Sequence, residues 1–544
     1  MTTRPETYSI TGRSVASELE NNLQPKPATS ALLQVIDVFS KSQRDLGGLG
    51  NRRSVSLLGG TVNLKYWESI LSDSIRASVT FTDAGNTIKG KAGTKVGAVE
   101  GLPIEGSEEV YLKFTDNNGT TLKFGSHIGL NNDNFLYVNK ITALNTGSET
   151  TDKSYKLDLV PAEWITNEKG GQEVRKAFSG QISDHVKTIF KKVLKTKKKF
   201  YIEETQSTLD FTGNNTKPFY TLNDLSTKAV SKYIRGSGYS AGYFFWETAD
   251  GYYFRSIDSL MGQGHKTSII YNESPGTPAA YDVKALSVET DNKVNVQKKL
   301  QMGTYSTRFL GLDPFTGIWT NTLTEAEKNE RGDMIELAGK DLPSLNKRFN
   351  RSEADTEFSR TSFLFGTTGQ LNVGKIDGQF DKSKEINFDA PKIFNQAVMR
   401  YNQLFASQII VVIPGDFSLH AGDSVFVDLP QDDVTDNKAC GDEIDRRNSG
   451  NYLITDLCHY VDASDTYTKL VLTRDSFGRK GIPQKGKVKT KSKTDLMVDR
   501  DNSVYGDTFP AGSFGITSDQ SNITNDLSGH EPEVQYDAYQ QFIP

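Results

Sequence analysis

The chain has 544 residues and a net charge of −5 at pH 7, and its length alone predicts roughly three or four domains. The mildly acidic balance argues against specific nucleic-acid binding, because a general grip on phosphates requires a basic surface. A mean hydropathy of −0.51 indicates a protein rich in loops and turns, and the lack of any apolar run of about 20 residues argues against membrane insertion. The two cysteines, Cys440 and Cys458, are too few for a disulfide framework and favour folding in a cytoplasm.

The first 50 residues are polar and predict an extended N-terminal arm (1–50) that docks on a partner. One patch from Ala31 to Phe39 has a strand-like or helical pattern, and a glycine cluster at 47–50 then breaks the chain. A disordered leader is the alternative interpretation of the same stretch.

Residues 51–165 predict a first β-barrel or sandwich. Apolar and polar residues alternate from Ile75 to Phe81, as in a strand with one buried face. The dipeptide Asn118-Gly119 predicts a tight hairpin turn with positive φ at both residues. Two further alternating strands follow and end at Val160. Antiparallel strands joined by short turns over this length are typical of a sandwich or barrel.

Residues 166–265 predict a helix-plus-hairpin α+β domain. A first helix has Ser183 as its N-cap, and a second helix extends to Gly236. An aromatic hairpin follows, with its two strands joined by the turn Asp250-Gly251. Residues 266–385 show no clear period and predict an irregular intermediate domain.

A second barrel is predicted over residues 386–477. It opens with a helix at Asp389-Ala390-Pro391 and continues as short alternating strands. Residues 478–544 predict a basic linker and an acidic tail rather than a domain. Three aromatic residues near the end of this tail are candidates for binding a partner: Tyr536, Tyr539 and Phe542. An unbound polar tail is the alternative.

The sequence predicts no catalytic residue, no cofactor site and no metal site. Cys440, Cys458 and His459 are possible zinc ligands, but no paired Cys-x-x-Cys accompanies them. The segment 238–242 fits a Gly-x-Ser-x-Gly pattern, yet a helix precedes it and a strand follows, which is the reverse of the order that a nucleophile elbow needs. We therefore expect a structural protein rather than an enzyme.

The two predicted barrels contain similar strands. Residues 152–159 align loosely with residues 465–472, and each strand follows a tyrosine-bearing strand after a short polar loop. If this duplication is real, a trimer would present six similar barrels in a ring and could join a six-fold tube to a three-fold object.

Several passages resemble the central baseplate hub protein of contractile-tailed phages of the T-even type. The resemblance covers roughly residues 52–480, and its strongest part is YSAGYFFWET at 239–248 with GYYFRSID at 251–258. Further similar passages are FSGQISDHV at 178–186, NNTKP at 214–218 and the closing strands at 450–478. The arm and the tail lie outside this resemblance.

The resemblance implies a mainly β, α+β protein with two tube-protein-like β-barrel domains, α+β insertion domains and extended N- and C-terminal segments. It implies a homotrimer in the virion tail baseplate that contacts the central spike protein, the tail tube or tube-initiator protein, the tape-measure protein and baseplate wedge proteins. It also implies a lumen for genome passage. The alternatives are a baseplate-mounted cell-wall hydrolase and a host-binding tail protein.

Overall fold

The computed structural model describes part of the chain, and all structural statements concern that part. The described residues are 7–9, 32–41, 54–85, 88–89, 95–126, 134–145, 153–206, 208–232, 241–272, 276–278, 281–291, 296–312, 319–325, 346, 348, 360–365, 390–405, 407–430, 445, 448–462 and 465–475.

Strands make up most of the regular structure. In chain order they are β1 (Thr7–Ser9), β2 (Leu32–Phe39), β3 (Ser54–Ser56), β4 (Thr61–Ser69), β5 (Arg76–Asp83), β6 (Ile88–Lys89), β7 (Lys95–Val96), β8 (Glu109–Thr115), β9 (Thr121–Phe124), β10 (Leu136–Asn145), β11 (Lys153–Pro161), β12 (Ala177–Phe178), β13 (Phe200–Ile202), β14 (Phe211–Thr212), β15 (Tyr243–Thr248), β16 (Gly251–Ser256), β17 (His265–Ile270), β18 (Val283–Lys284), β19 (Ser287–Asp291), β20 (Ser306–Leu312), β21 (Trp319–Glu325), β22 (Arg360–Phe365), β23 (Ser407–Pro414), β24 (Ser424–Asp428), β25 (Gly450–Asp462) and β26 (Thr466–Arg474).

The helices are short apart from the last. They are α1 (Ala98–Gly101), α2 (Ala162–Glu168), α3 (Ile182–Thr188), α4 (Pro218–Lys228), α5 (Ile257–Met261), α6 (Val296–Met302) and α7 (Ala390–Leu404), with a 3-10 turn at Leu58–Gly60 and a π-helical segment at Ile189–Leu194. The predicted mainly β, α+β class is therefore confirmed. The path of paired strands does not close on itself within the described residues, and the two tube-like barrels remain a prediction.

Two groups of five strands repeat the same topology within one continuous 16-stranded sheet. The first repeat comprises β4, β5, β8, β10 and β11, in the sheet order β4-β5-β11-β10-β8. The second repeat comprises β19, β23, β24, β25 and β26, in the sheet order β19-β23-β26-β25-β24. Every pair within both groups is antiparallel. The five strands of each repeat therefore occupy corresponding sheet positions in the same chain order.

A β-bulge occupies the same place in both repeats. The β10–β11 register shifts between Val138 and Lys140, and the β25–β26 register shifts between Ile454 and Asp456. Because a bulge is a specific feature that bends and twists its strand, its recurrence supports a duplication independently of strand order. It also fixes the residue correspondence: Leu159 of the first repeat matches Leu472 of the second, as in the sequence alignment of 152–159 with 465–472.

The repeats join through one long strand. On one edge of β25, Leu453 pairs with Ser424 of its own repeat, and the stretch Asp456–Asp462 pairs with Asn63–Ser69 of β4 in the first repeat. The cores interlock at this seam, since Phe417 and Val461 of the second repeat lie in the hydrophobic core of the first. The two repeats therefore form one packed body.

The aromatic hairpin between the repeats is buried on both faces. Phe244 and Trp246 lie in the core of the second repeat, whereas Tyr243 and Phe245 lie in a separate core with α3 and α4. Because successive strand residues point to opposite faces, the hairpin acts as a shared wall between two cores. This burial explains why the segment is aromatic without alternation.

Several predicted elements are confirmed. Ile75, Ala77, Val79 and Phe81 are all buried, the aromatic hairpin turns at the predicted place, and the helix after Asp389 runs over Ala390–Leu404.

The predicted turn at Asn118-Gly119 is wrong in its geometry. Gly119 has a φ of 85°, whereas Asn118 is not left-handed. Asp116 closes a longer loop: its backbone N–H donates to the Thr120 carbonyl over 3.0 Å, and its carboxylate accepts from the Thr120 N–H over 2.8 Å. The side chain of Asp116 thus replaces the second positive-φ residue.

Two helix boundaries also differ from prediction. Gln181, rather than Ser183, is the N-cap of α3, and Ser183 is buried with its N–H donating to the Thr205 hydroxyl over 3.0 Å. The second helix ends at Lys228, well before Gly236, because Val230 turns away to form a β-bridge with Ala241.

Two strands lie outside the predicted barrel bounds. Leu32–Phe39, assigned to the N-terminal arm by the pattern, is paired between β3 and β8 inside the sheet. Ser287–Asp291, placed in the irregular domain, is the first strand of the second repeat. A further three-stranded sheet, β21-β20-β22, also lies in that domain.

Candidate functional site

A buried polar junction lies where the two repeats and the aromatic hairpin meet, and Glu68 is its centre. Glu68 is the inward-facing residue near the end of β4, following Leu64 and Tyr66 on the same face. Its carboxylate is fully buried. It accepts hydrogen bonds from the Tyr66 hydroxyl over 2.8 Å and from the Ala249 N–H over 2.9 Å. A third partner is His420, whose Nδ1 lies 3.0 Å from Oε1.

The contacts of Glu68 tie together three distant parts of the chain. Ala249 is in the turn of the aromatic hairpin, whereas His420 and Ala421 are in the loop between β23 and β24. The Ala421 N–H adds a longer hydrogen bond of 3.3 Å to the same carboxylate. Because an unpaired buried carboxylate would be costly, these donors must all be in place when the chain is folded. Glu68 therefore fixes the relative position of both repeats and the hairpin.

The Glu68–His420 pair is arranged to be charged. Burial works to lower the pKa of His420, but the adjacent carboxylate of Glu68 outweighs it and raises that pKa above its ordinary value. Burial likewise works to raise the pKa of Glu68, and the imidazolium together with the hydrogen bonds lowers it below its ordinary value. The two side chains thus stabilise each other's ionised form around neutral pH.

Below this pair, His459 is buried as a neutral ring. His459 stacks on Tyr66, with ring centroids 6.0 Å apart, and Phe417 packs edge-on against it at 4.7 Å. Its Nδ1 lies 2.9 Å from the Thr468 hydroxyl. Burial lowers the pKa of His459 to about 3. His420 is therefore charged and His459 neutral, because His420 contacts the Glu68 carboxylate directly whereas His459 contacts the Thr468 hydroxyl.

A second ionic cluster extends the junction to the α+β part. The Lys198 Nζ lies 2.7 Å from Glu163 Oε2 and 2.5 Å from Glu247 Oε1. Glu247 also accepts from the Ser74 hydroxyl over 2.8 Å, in the turn between β4 and β5. Burial raises the pKa of Glu247, whereas Lys198 holds the pKa of Glu163 below its ordinary value despite burial. One ammonium therefore serves two carboxylates from different elements.

Two further bonds tie the loop at 415–423 to its surroundings. The Phe417 N–H donates to Asp116 of the first repeat over 2.9 Å. The Lys266 ammonium of β17, the strand that pairs with β24 of the second repeat, lies 2.7 Å from the Asp423 carboxylate. The loop is thus held from both sides of the seam.

The cavity beside the second ionic cluster is small. The cavity beside Lys198 and Glu247, lined also by Phe124 and Phe135, has a volume of about 10 Å³, which is about the space of one water molecule. Perturbed ionisable groups in a cleft would suggest catalysis, but these groups are packed against protein. The arrangement joins parts of the chain that are distant in sequence.

The structure separates the residues that the sequence singled out as zinc ligands. Cys458 and His459 are successive strand residues and point to opposite faces. Burial raises the pKa of Cys458 to about 12, so the thiol stays protonated. Cys440 lies outside the described residues, and within those residues no group of three potential ligands lies together.

The remaining candidates can be placed only in part. Tyr536, Tyr539 and Phe542 lie outside the described residues, as do Gly238 and Ser240 of the Gly-x-Ser-x-Gly segment. Ala241, next in that segment, is buried, and its carbonyl accepts from Arg400 of α7 over 2.8 Å. No helix within the described ranges is long and apolar enough to cross a membrane.

Sequence reasoning did not single out Glu68 or His420. A signal for Glu68 was present, because its position in β4 has the same parity as the buried Leu64 and Tyr66. A carboxylate on the apolar face of a strand implies a buried partner. The partner His420 lies more than 350 positions away in a loop, and no local pattern identifies it.

Comparisons with known proteins point to phage tails. No protein-family model matches the chain. A protein of Vibrio phage KVP40 named "Probable baseplate hub protein gp334" is 25% identical over 303 residues, covering 54% of this chain and 66% of that protein. The chain thus spans just under two thirds of the length of this relative. The match confirms the resemblance to phage baseplate hub proteins that the sequence predicted.

Solved structures of tail proteins overlap with the chain at low identity. The MuSo2 prophage 43 kDa tail protein from Shewanella oneidensis has a TM-score of 0.44 and 9% identity, covering 82% of this chain and 100% of that one. A tail protein from Neisseria meningitidis has a TM-score of 0.40 and 9% identity, covering 81% and 96%. The E. coli c3393 protein, described as a type VI secretion component, has a TM-score of 0.34 and 8% identity, covering 78% and 76%.

Proposed function

We propose, from the resemblance to phage baseplate hub proteins, that this chain is the structural hub of a contractile phage tail. Three copies form a ring that joins the six-fold tail tube to the three-fold central spike and leaves a lumen for the genome. The observation that carries the proposal is the duplicated five-stranded topology with its bulge in the same place. A chain with two equivalent units is what such a ring requires.

Two similar units in each chain let a trimer match both symmetries. A trimer of a chain with two similar units presents six similar surfaces to a neighbour on one side, and the three-fold axis remains for a neighbour on the other. The two repeats differ in sequence, so their equivalence is limited to the strand topology of the backbone. A six-fold tube can dock on the shared backbone shape, whereas a three-fold spike can use the differences.

The buried junction serves this function by fixing the angle between the repeats. Glu68 contacts both repeats and the hairpin, and the β4–β25 pairing runs continuously between them. Closed rings tolerate little variation in the angle between successive units, because errors accumulate around the ring. A rigid seam of paired strands and buried ions limits that variation within each chain.

The other parts of the chain are assigned to partners. The barrels at 51–165 and 386–477 continue the tail tube or contact the tube-initiator protein, the far side of the ring holds the spike, and the baseplate wedge proteins contact the ring from outside. The tail at 478–544 contacts a neighbour through Tyr536, Tyr539 and Phe542. The tape-measure protein and the genome pass through the lumen, and the net charge of −5 limits adhesion of DNA. Assembly takes place in the host cytoplasm.

Labelling of purified virions tests the location. Antibodies raised against this chain are bound to intact and to contracted tails and are located by immunogold electron microscopy. Label at the centre of the baseplate is expected. Label on fibres would instead favour the host-binding alternative, and clearing of peptidoglycan by the pure chain in a zymogram would favour the hydrolase.

A further inference from the structure

Each repeat has one strand edge that no described residue occupies. In the second repeat, β23 is the one described strand that pairs with β19, which leaves the other edge of Ser287–Asp291 open among the described residues. In the first repeat, β8 covers the edge of β10 only at Leu136 and Tyr137, with Val138 bonded to the loop before β8. The same edge is open from residue 139 to 145. Open edges present unpaired N–H and C=O groups in a row.

These two edges correspond to the two strands that already form the seam within the chain. Leu64 of β4 pairs with Val79 of β5, and Val288 of β19 pairs with Val411 of β23. Because Val79 and Val411 occupy equivalent positions in the two repeats, Leu64 corresponds to Val288. The bulges make Lys140 of β10 correspond to Asp456 of β25. The open edges are therefore the second copy of the β4–β25 surfaces, and no described residue pairs with them.

We infer that β19 of one copy of the chain pairs antiparallel with residues 139–145 of the next copy, repeating the β4–β25 seam between chains. The β4–β25 register then sets the register of the new pair. Tyr66 faces His459 within the chain, so Thr290 of one copy faces Ala143 of the next. Asp291 faces Thr142 in the same way. The inference rests on the proposed function for the number of copies but not for the choice of strands.

The side chains on the two edges are compatible with this pairing. Leu144 is 54% exposed and Leu286, just before β19, is 42% exposed, so both gain from being covered. Thr290 and Ala143 are small and exposed, which leaves room for a neighbouring strand. The Glu289 Oε2 is buried with no hydrogen-bond partner among the described residues. On the paired edge its diagonal neighbour is Thr142, whose hydroxyl is a donor.

The arrangement closes into a ring. Each copy carries one edge of each kind on different repeats, so the contact is head-to-tail, and such contacts generate rings when the rotation closes. In a trimer, three seams within chains would alternate with three seams between chains. Six repeats would then share one continuous set of strand pairs around the lumen.

Cysteine cross-linking tests the pairing and its register. The full-length double variant Ala143→Cys/Thr290→Cys is oxidised and run on a non-reducing gel, with its mass in solution measured by light scattering. The matched control is Thr142→Cys/Thr290→Cys, in which the first cysteine points to the opposite face of β10. Each single variant controls for the native cysteines.

We expect interchain disulfides that yield dimers and trimers for Ala143→Cys/Thr290→Cys and at least tenfold less product for the control pair. A trimer without the cross-link would overturn the strand pairing while leaving the hub proposal standing. A disulfide within one chain would also overturn it, because the edges would then be neighbours in the monomer. A monomer without cross-link would overturn the pairing, and it would also contradict the trimeric hub if the chain stays monomeric when the spike protein is added.

Discussion

Tyr66 of the first repeat stacks on His459 of the second, with ring planes 9° from parallel and centroids 6.0 Å apart. The two residues are also direct partners in the β4–β25 strand pair. A contact of this kind, with backbone pairing and side-chain packing at the same positions, joins repeats firmly. It places the seam between the repeats inside the hydrophobic core rather than at a flexible linker.

Removing the central carboxylate should destabilise the whole protein. For Glu68→Gln we expect a loss of about 3 kcal/mol in the free energy of unfolding, because breaking a buried ion pair leaves the other charge uncompensated. Denaturant titration followed by tryptophan fluorescence measures the change. The matched control is Glu105→Gln, a carboxylate that is 77% exposed and 3.9 Å from Lys41. It should change stability by less than about 0.5 kcal/mol. Equal effects of the two variants would contradict the role of Glu68.

The acid limb of the stability profile should depend on His459. Its pKa is about 3 in the folded protein and has the ordinary value near 6.5 when unfolded. The unfolded chain therefore binds more protons between these values. The stability that the neutral ring contributes is present above pH 6.5 and is lost as the pH falls toward 3. The slope is about 1.4 kcal/mol per pH unit at most.

The variant His459→Gln should therefore have a flatter profile below pH 6.5 than the wild type, measured by thermal unfolding over a pH series. His420→Gln is the comparison. Because its pKa is raised in the folded protein, His420 contributes stability that is present below pH 6.5 and is lost as the pH rises through the raised value. That variant should change the alkaline side instead. Parallel curves for all three proteins would contradict the assignment of charge states.

Local patterns predicted a large part of the fold. The alternation around Val79 and the aromatic hairpin at Tyr243–Thr248 are local signals, and both are confirmed. The short strand Ser287–Asp291 was missed as part of the second repeat, because its partner Ser407–Pro414 comes after more than a hundred intervening residues. A five-residue strand with no hairpin partner nearby has no distinctive pattern.

The candidate site was not predictable for the same reason. Glu68 lies 181 positions from Ala249 and 352 positions from His420, so the three residues meet only in the folded chain. The loose similarity between 152–159 and 465–472 did identify two strands, β11 and β26, that occupy corresponding positions in the two repeats. The structure adds the bulge and the strand order, which make that similarity specific.

Placing a charge inside the first repeat should prevent its folding. Val79 is fully buried in β5, so Val79→Asp should cost more than about 3 kcal/mol and abolish tail assembly. The control is Val62→Asp on the adjacent strand, where the side chain is 49% exposed. Yield of soluble protein and circular dichroism measure the outcome. A folded, assembling Val79→Asp protein would show that this core is not required.

The C-terminal tail should be dispensable for the ring. Deleting residues 480–544 should leave the oligomeric state unchanged but weaken binding to a neighbouring baseplate protein. A full-length chain with Tyr536, Tyr539 and Phe542 all replaced by alanine should bind as weakly as the truncated chain, since aromatic residues dominate short docking segments. Co-sedimentation with the partner measures binding. A truncated chain that no longer oligomerises would overturn this division of roles.

The most direct test of the hub proposal is the solution mass of the purified full-length chain by light scattering. The account predicts a single species at three times the chain mass of 60.2 kDa. The spike protein is then added in excess. A chain that stays monomeric both alone and with the spike would contradict the trimeric ring.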